Sequence, residues 1–268
     1  MVSPRFLFAL LMLLMQGSVD ANPASVFLEE LTSPEVAAAI RSGVTTIIIP
    51  VGGTEQNGPH MVLGKHNVRV RILSGRIARQ LGNSLVAPVL SYVPEGAITP
   101  PTEHMRFAGT ISVPEAVFKS VLDATARSFK QHGFRDIVLL GDSGNYQAAL
   151  QSVAQRLNRD WSGSGVRAHF VREYYQAAQT TYVGALKAKG LTDAQIGTHA
   201  ATADTSLSMA LEPSLVRPEL LAAAAEAGKT GGTNGDPRPS SAALGQLGVE
   251  AMVLQTLAAI RAAVSAPR

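Results

Sequence analysis

The sequence contains no cysteine among its 268 residues. This absence excludes disulfide bonds, thiolate metal ligands and cysteine nucleophiles. A catalytic metal would therefore need histidine, carboxylate, amide or hydroxyl ligands. Charged residues are also few, at 16% of the chain, and aromatic residues make up only 5%. The net charge of +3 and the lack of a clustered stripe of Lys and Arg exclude nucleic acid as an expected partner.

Apolar residues are abundant, at 46% of the sequence. A chain of this length and composition can bury a substantial core, and one large α/β domain is the expected form. No internal repeat and no linker divides the sequence. We therefore predict a single domain over residues 22–268.

The N-terminus has the pattern of a targeting segment. Arg5 precedes an unbroken apolar run of ten residues, Phe6 to Met15, and Val19-Asp20-Ala21 has the small-x-small form of a cleavage site. Ten apolar residues are too few to span a bilayer, which needs about 20. We predict a signal peptide over residues 1–21, cleaved after Ala21, and a periplasmic or secreted protein with no membrane anchor. The alternatives are an uncleaved anchor and a buried N-terminal helix.

Strands and helices alternate along the rest of the chain. Apolar and β-branched runs predict core strands at residues 45–51, 85–92, 137–140 and 166–171, with a further short strand at 109–113. Apolar residues at helical spacing predict helices at residues 33–43, 67–81, 114–132, 146–161, 174–189 and 242–264. This order is typical of an α/β fold, here a three-layer α/β/α sandwich around a mainly parallel sheet.

Polar segments follow three of the expected strands, at residues 52–67, 94–110 and 141–145. Ligands in open α/β sheets bind outside the carboxyl ends of the strands. We therefore expect these segments to meet at one site, together with a later polar stretch that contains Asp204. Four of the six histidines lie in these regions: His60, His66, His104 and His199.

The order of motifs along the chain is specific. Residues 50–66 read PVGGTEQNGPHMVLGKH, residues 103–112 read EHMRFAGTIS, and residues 132–138 read HGFRDIV. Residues 141–146 read GDSGNY, residues 199–206 read HAATADTS, and Gly-Asp-Pro stands at 235–237. In this order the segments resemble the creatininase family of metal-dependent amidohydrolases. That family has a Pro-Val-Gly-x-x-Glu-x-His-Gly-x-His loop followed by Leu-Gly-Thr-Asp, then Phe-x-Gly-Thr-Ile-Ser, Asn-Gly-His-Gly-Gly-Asn and His-Ala-Gly-Glu-x-Glu-Thr-Ser.

The resemblance implies one or two divalent ions, often zinc or manganese. The family's ligands are a Glu, a His, an Asp, a second His and a further Glu. The corresponding positions here are Glu55, Asn57, His66, Ser143 and Thr202. Only Glu55 keeps the family's residue, although a second acid near the last position survives as Asp204. Asn and Ser are poor zinc ligands, whereas imidazole is a good one, so most of the metal shell has changed.

The remaining donors favour one ion over two. We expect Glu55, His66 and Asp142 to form a mixed nitrogen and oxygen site for one ion. A second ion is not expected, because His66 replaces the acid that would bridge two ions. His60 or His199 is expected as a fourth ligand or as a general acid. His60, His199 and Asp204 are therefore the predicted catalytic residues.

Four further residues are expected to contact the substrate: Asn57, Lys65, Glu103 and His104. Several assignments have alternatives. Asp142 could cap the helix that follows it, and His60 could simply fix its loop. Lys65 could replace a metal's charge or pair with Glu55. Ser143 is not expected to be a nucleophile, since it lacks the Gly-x-Ser-x-Gly spacing of a nucleophile elbow.

Two functions follow. The first is an exported, metal-dependent hydrolase that cleaves a cyclic or linear amide C–N bond of a small molecule by metal-activated water. The second is a metal-free periplasmic binding or structural protein on the same scaffold. The fold alone cannot choose between them. The resemblance also implies a homo-oligomer, often hexameric in this family.

Overall fold

The computed structural model describes residues 23–267, so the predicted signal peptide, residues 1–21, lies outside the described residues. The sheet has four parallel strands in the order β2-β1-β3-β4. The strands are β1 Thr46–Val51, β2 Ser84–Val86, β3 Asp136–Gly141 and β4 Arg167–Phe170. Helices flank this sheet, and the predicted α/β fold is confirmed.

Helices fill most of the described chain outside the sheet. The α-helices are α1 Ser33–Arg41, α2 Lys65–Leu81, α3 Glu115–His132, α4 Gln147–Asp160, α5 Glu173–Ala177, α6 Val183–Ala188, α7 Asp193–Ile196, α8 Thr202–Leu211, α9 Leu221–Ala227 and α10 Ala242–Ser265. Short 3₁₀ turns lie at Leu28–Glu30, Glu103–Arg106, Pro213–Leu215, Pro218–Leu220 and Gly228–Gly231. The helix predicted at 174–189 is present as α5 and α6 joined by a π-helical turn, Ala178–Tyr182.

Two predicted strands differ from the structure. β2 ends at Val86, well before residue 92, because Pro88 has no N–H to donate to a strand ladder. Pairing resumes only as a bridge between Val51 and Leu90. Residues 109–113 form no strand. Instead, the Ile111 N–H donates to the Thr54 carbonyl at 2.9 Å, which ties the long loop to the loop after β1.

The two faces of the sheet bury separate apolar clusters. Ile47 and Ile49 of β1 point to one face and Ile48 to the other, as the period of two in a strand requires, and none is more than 1% exposed. The first face packs against α3 and α4, and the second against α2, α5 and α10. Helix, sheet and helix therefore form the three predicted layers.

The longest helix, α10, packs closely on α8. A Cβ atom at Gly245 would lie 1.9 Å from the Ser206 carbonyl oxygen, so only glycine allows the two backbones to approach this far. A Cβ atom at Gly248 would lie 2.7 Å from the Leu207 side chain and 2.8 Å from the Tyr182 ring. Among the described residues, α10 alone is long and apolar enough to cross a membrane, but its buried residues include Val249 and pack in the core.

Candidate active site

A cavity of about 430 Å³ lies at the carboxyl ends of β1 and β3. Val51 pairs with Gly141 in the sheet, so the loops that follow these two residues lie side by side. The first loop contributes Glu55 to the cavity wall and the second contributes Asp142. The start of α2, the 3₁₀ turn Glu103–Arg106 and the start of α8 also line the cavity, together with residues of the segments 175–183, 196–199 and 229–234. The expected meeting of the polar segments is therefore observed.

His66 connects the two carboxylates. Its Nε2 lies 2.8 Å from Glu55 Oε1, and its Nδ1 lies 2.6 Å from Asp142 Oδ2. Burial and the Lys65 charge lower the pKa of His66, but the Glu55 charge and the two hydrogen bonds outweigh them, and the pKa is raised. Burial raises the pKa of Glu55, yet the charge and hydrogen bond of His66 hold it below its ordinary value. An imidazolium between two carboxylates is the stable arrangement.

Lys65 and Arg69 bring a third acid, Asp204, into this cluster. Lys65 is 0% exposed, and its Nζ lies 3.0 Å from Asp204 Oδ2 and 3.7 Å from Glu55 Oε1. Arg69 donates to Asp204 Oδ1 at 2.8 Å and lies 3.1 Å from Asp142 Oδ2. Burial opposes ionisation of Asp204, but the charges of Lys65 and Arg69 hold its pKa well below the usual range. We call Glu55, Asp142, Asp204, Lys65, His66 and Arg69 the buried charge network.

The buried charge network is balanced. It contains three carboxylates and three cationic side chains, and each carboxylate contacts at least one cation. The Tyr174 hydroxyl donates to the remaining oxygen of Asp142 at 2.7 Å. Buried charges are tolerated when they are paired and hydrogen-bonded in this way.

Two imidazoles face Glu55 from the other side. His104 Nε2 lies 3.3 Å from Glu55 Oε2, and His199 Nδ1 lies 3.7 Å from Glu55 Oε1. The two rings are tilted with centroids 4.7 Å apart. Burial and the Lys65 charge lower the pKa of His199 to about 4, so this ring is neutral at neutral pH. One ligand atom from each of the three residues lies within 4.8 Å of the others.

Gln56 orients these two rings. The Gly58 N–H donates to Gln56 Oε1 at 3.0 Å, which fixes the side-chain amide and directs its Nε2 to the histidines. That nitrogen lies 3.1 Å from His104 Nδ1 and 3.1 Å from His199 Nε2. The approach requires Gly232, because a Cβ there would lie 1.9 Å from Gln56 Oε1. The ring atoms turned away from Gln56 are the ones that face Glu55.

The expected ligand set of Glu55, His66 and Asp142 is brought together, but it does not converge on a shared point. Each nitrogen of His66 is directed at a different carboxylate, so neither nitrogen is available to an ion shared by the three residues. The expectation of His66 and Asp142 as ligands is corrected on this geometry: His104 and His199 each direct a ring nitrogen towards Glu55 instead.

Asn57 and His60 do not line the cavity, which corrects their expected roles in substrate contact and catalysis. Asn57 is fully buried and donates to the backbone carbonyls of Glu55 and Val62. His60 is fully buried with Nε2 2.9 Å from Thr205 Oγ1. Burial and the Lys65 charge lower the pKa of His60 to about 4. Both side chains fix the loop from behind.

Other expected residues do line the cavity. Glu103 lies exposed at its rim, in a left-handed backbone conformation with φ of 46°. Asp204 lies in the buried charge network, and His104 and His199 lie on the opposite side of Glu55. Asp142 is not a helix cap, because α4 begins at Gln147 with Tyr146 in the N-cap position.

Four residues that the site uses were not anticipated from the sequence: Gln56, Arg69, Glu95 and Tyr175. Glu95 is 1% exposed and accepts a hydrogen bond from Asn145 Nδ2 at 2.6 Å. Burial and the nearby Glu55 charge raise its pKa to about 8. Arg69 had a signal, since it lies one helical turn after Lys65. Glu95 had none, because it stands alone in an irregular loop.

The residues present fit one divalent ion and not two. Two histidines and one carboxylate are a donor set of catalytic zinc sites, and Glu55, His104 and His199 supply it at the cavity wall. A second ion would need further carboxylates. Asp142 and Asp204 are already paired with Arg69, and Asp204 also with Lys65.

Comparison with known proteins agrees with this architecture. The family model described as creatininase, creatinine amidohydrolase, matches residues 29–260. The chain is 31% identical over 120 residues to a mycofactocin precursor peptide peptidase of Mycolicibacterium smegmatis, covering 43% of this chain and 46% of that protein. It is 30% identical over 126 residues to a creatinine amidohydrolase of Pseudomonas putida, covering 47% of each. The chain thus spans about half the length of these curated relatives.

Solved structures match over more of the chain. A crystal structure of creatinine amidohydrolase superimposes with a TM-score of 0.72 at 25% identity, covering 91% of this chain and 100% of that one. A structure described as creatininase Mn gives a TM-score of 0.71 at 25% identity, covering 90% and 100%. The family match extends over most of the sequence, and the chain belongs to the creatininase family.

Proposed function

We propose that this chain is a hydrolase that cleaves a cyclic or linear amide C–N bond of a small molecule, with one zinc or manganese ion held by Glu55, His104 and His199. The observation that carries the proposal is the convergence of one ligand atom from each of these residues within 4.8 Å at the cavity wall. A creatininase structure with manganese supports the ion, and a mutant creatininase complexed with creatine supports the substrate class.

A divalent ion supplies Lewis acidity, which polarises a carbonyl and lowers the pKa of water. The protein's own groups do the rest. Gln56 holds both imidazoles in orientation, and His66 holds Glu55. Such supporting contacts orient ligands and tune their basicity.

Tyr175 is the proposed proton donor to the leaving nitrogen. It lines the cavity, and burial, followed by the Asp204 charge, raises its pKa, so the hydroxyl keeps its proton at neutral pH. His199 suits this role less well than expected, because a pKa of about 4 leaves it unprotonated. The cavity of about 430 Å³ accommodates a small molecule.

A metal-free binding protein is the second proposal, and one observation favours it. The fixed Gln56 amide donates to His104 Nδ1, so Nε2 is the ring nitrogen that carries a proton. That proton points to Glu55 Oε2 at 3.3 Å, where an ion would need a lone pair. In this form the site binds a polar ligand and carries out no hydrolysis.

Metal content separates the two proposals. The chain is purified without chelator, dialysed against zinc or manganese, and measured by elemental analysis and calorimetric titration. The hydrolase predicts about one ion per chain, lost in His104→Ala and in His199→Ala. The matched control is His132→Ala, since His132 is exposed at the end of α3, and it should keep the ion. A parent chain that binds neither metal would exclude the hydrolase and leave the binding protein.

Export and self-association are further proposals. Export is supported by the N-terminal pattern of residues 1–21, and N-terminal sequencing of the periplasmic protein would test it, with Asn22 as the expected first residue. A homo-oligomer is supported by large apolar side chains on the surface, Tyr92 at 58% and Ile98 at 56% exposed. Light scattering that finds a monomer would contradict it.

A further inference from the structure

We infer that the Lys65 ammonium occupies a latent divalent-cation site between Glu55 and Asp204, and that it thereby limits the cavity to a single ion. The inference rests on the proposed function only for the first ion, at Glu55, His104 and His199. The latent site itself is defined by contacts of Lys65.

The position of the ammonium is that of a bound cation. Lys65 is 0% exposed, and the charged groups in contact with its Nζ are two carboxylates, at 3.0 Å for Asp204 Oδ2 and 3.7 Å for Glu55 Oε1. A lysine rarely buries its charge unless that charge is paired. Carboxylate oxygens are also ligands of zinc, manganese and magnesium.

Both oxygens are held in place by other contacts, independently of Lys65. Asp204 Oδ2 accepts from the Ala200 N–H at 2.9 Å, and Asp204 Oδ1 accepts from Arg69 at 2.8 Å. Glu55 Oε1 is held by His66 at 2.8 Å. Removal of the lysine side chain would therefore leave two oriented carboxylate oxygens and the space of a buried side chain between them.

The ammonium and a second ion exclude each other. Both need the same two oxygens, and like charges at this separation repel strongly in a partly desolvated site. Lys65 supplies a fixed charge that no chelator can remove. In Lys65→Ala the two carboxylates lose that charge, and a divalent ion becomes the available replacement.

The test is ion stoichiometry by native mass spectrometry and calorimetry on the full chain. Manganese and zinc are titrated into the parent, Lys65→Ala and Lys65→Arg. We expect one ion in the parent and in Lys65→Arg, and two in Lys65→Ala. The dissociation constant of the second ion should be lower in Lys65→Ala than in the parent by about tenfold or more. Lys187→Ala is the matched control, since Lys187 pairs with Asp193 on the surface.

The outcomes distinguish this inference from the proposed function. No ion in the parent and one in Lys65→Ala would overturn the proposed function and support the latent site. One ion in the parent and one in Lys65→Ala would overturn the latent site and keep the hydrolase. If Lys65→Ala does not fold, as judged by circular dichroism, the parent decides alone. Two ions bound to the parent at millimolar metal would overturn the inference, and saturation at one would support it.

Discussion

The two sides of the Glu55 carboxylate differ in kind. Oε1 faces the buried charge network, with His66 at 2.8 Å and Lys65 at 3.7 Å. Oε2 faces the cavity and the His104 ring at 3.3 Å. On the first side the protein supplies its own cations. The carboxylate also faces two imidazoles: His104 lies beside Oε2, and His199, which is neutral at neutral pH, lies 3.7 Å from Oε1.

The difference shows how one carboxylate can serve two purposes. A buried carboxylate with a fixed cation is stabilised before any ligand arrives. A carboxylate beside neutral nitrogen donors still attracts a cation, because lone pairs and negative charge converge there. Stability thus depends on the contacts of Glu55 with His66 and Lys65, and ligand binding on its contacts with His104 and His199.

The largest expected effect comes from removing a cation from the buried charge network. Arg69→Met removes the cation shared by Asp142 and Asp204, and leaves the buried Asp142 carboxylate and the partly exposed Asp204 carboxylate short of a partner. We expect a loss of about 3–5 kcal/mol in the free energy of unfolding, measured by urea denaturation at pH 7. The control is Arg71→Met on the same helix, where the pairs with Glu29 and Glu30 are solvent-exposed. That change should cost less than about 1 kcal/mol. Equal losses of unfolding free energy in the two variants would show that the buried charge network contributes no more to stability than a surface ion pair.

A smaller effect concerns the neutral acid beside Glu55. The folded-state pKa of Glu95, about 8, lies above its ordinary value of 4.5, so the folded chain keeps a proton that the unfolded chain releases. The contribution of protonated Glu95 to the free energy of unfolding is fully present below about pH 4.5 and is lost as the pH rises to about 8.

Glu95→Gln should therefore flatten the pH dependence of stability. We expect the variant to exceed the parent by on the order of 2 kcal/mol at pH 9 and to match it near pH 5. Thermal unfolding at both pH values measures the difference. Glu219→Gln, at an exposed acid, is the control and should leave the dependence unchanged. A variant that gains nothing at pH 9 would show that Glu95 ionises freely in the folded chain.

The smallest expected effect concerns the imidazoles that face Glu55. Gln56→Glu replaces the amide donor with an acceptor, so that His104 Nδ1 carries the proton and Nε2 has its lone pair towards Glu55. Carboxylate partners raise the basicity of ligating histidines, and such contacts are worth about 10-fold to 100-fold in metal affinity. We expect the zinc dissociation constant to tighten by about tenfold in calorimetry. Unchanged or weaker binding would mean that Gln56 does not set the tautomer of His104.

The fold was largely predictable from the sequence. β1 and β3 are short apolar runs, α3 and α10 have long periodic patterns, and all four lie within a residue or two of their predicted bounds. The prediction was wrong for the end of β2, where a single residue stops the strand pairing. Pro88 ends the ladder of β2, and no pattern of apolar residues shows that.

The site was predictable in its location and less so in its contacts. Parallel strand ends meet at one edge, so the proximity of Glu55 and Asp142 followed from the strand assignments. The direction of each His66 nitrogen did not follow, because it depends on which acid lies on either side of the ring. The role of Arg69 had only the signal of its position one helical turn after Lys65, and that position does not show which acids the guanidinium contacts.

The close packing of α8 on α10 has a consequence for motion. Gly245 places the two helix backbones in direct contact at Ser206, two residues beyond Asp204. Core helices of this kind exchange their amide hydrogens mainly when the whole domain opens, whereas long surface loops open locally. We therefore expect the helix that carries Asp204 to open slowly, while His104 lies on a 3₁₀ turn within a long loop. We expect the charged side of the cavity to keep its shape between ligand-binding events, and the loop that carries His104 to be the part of the wall that adjusts.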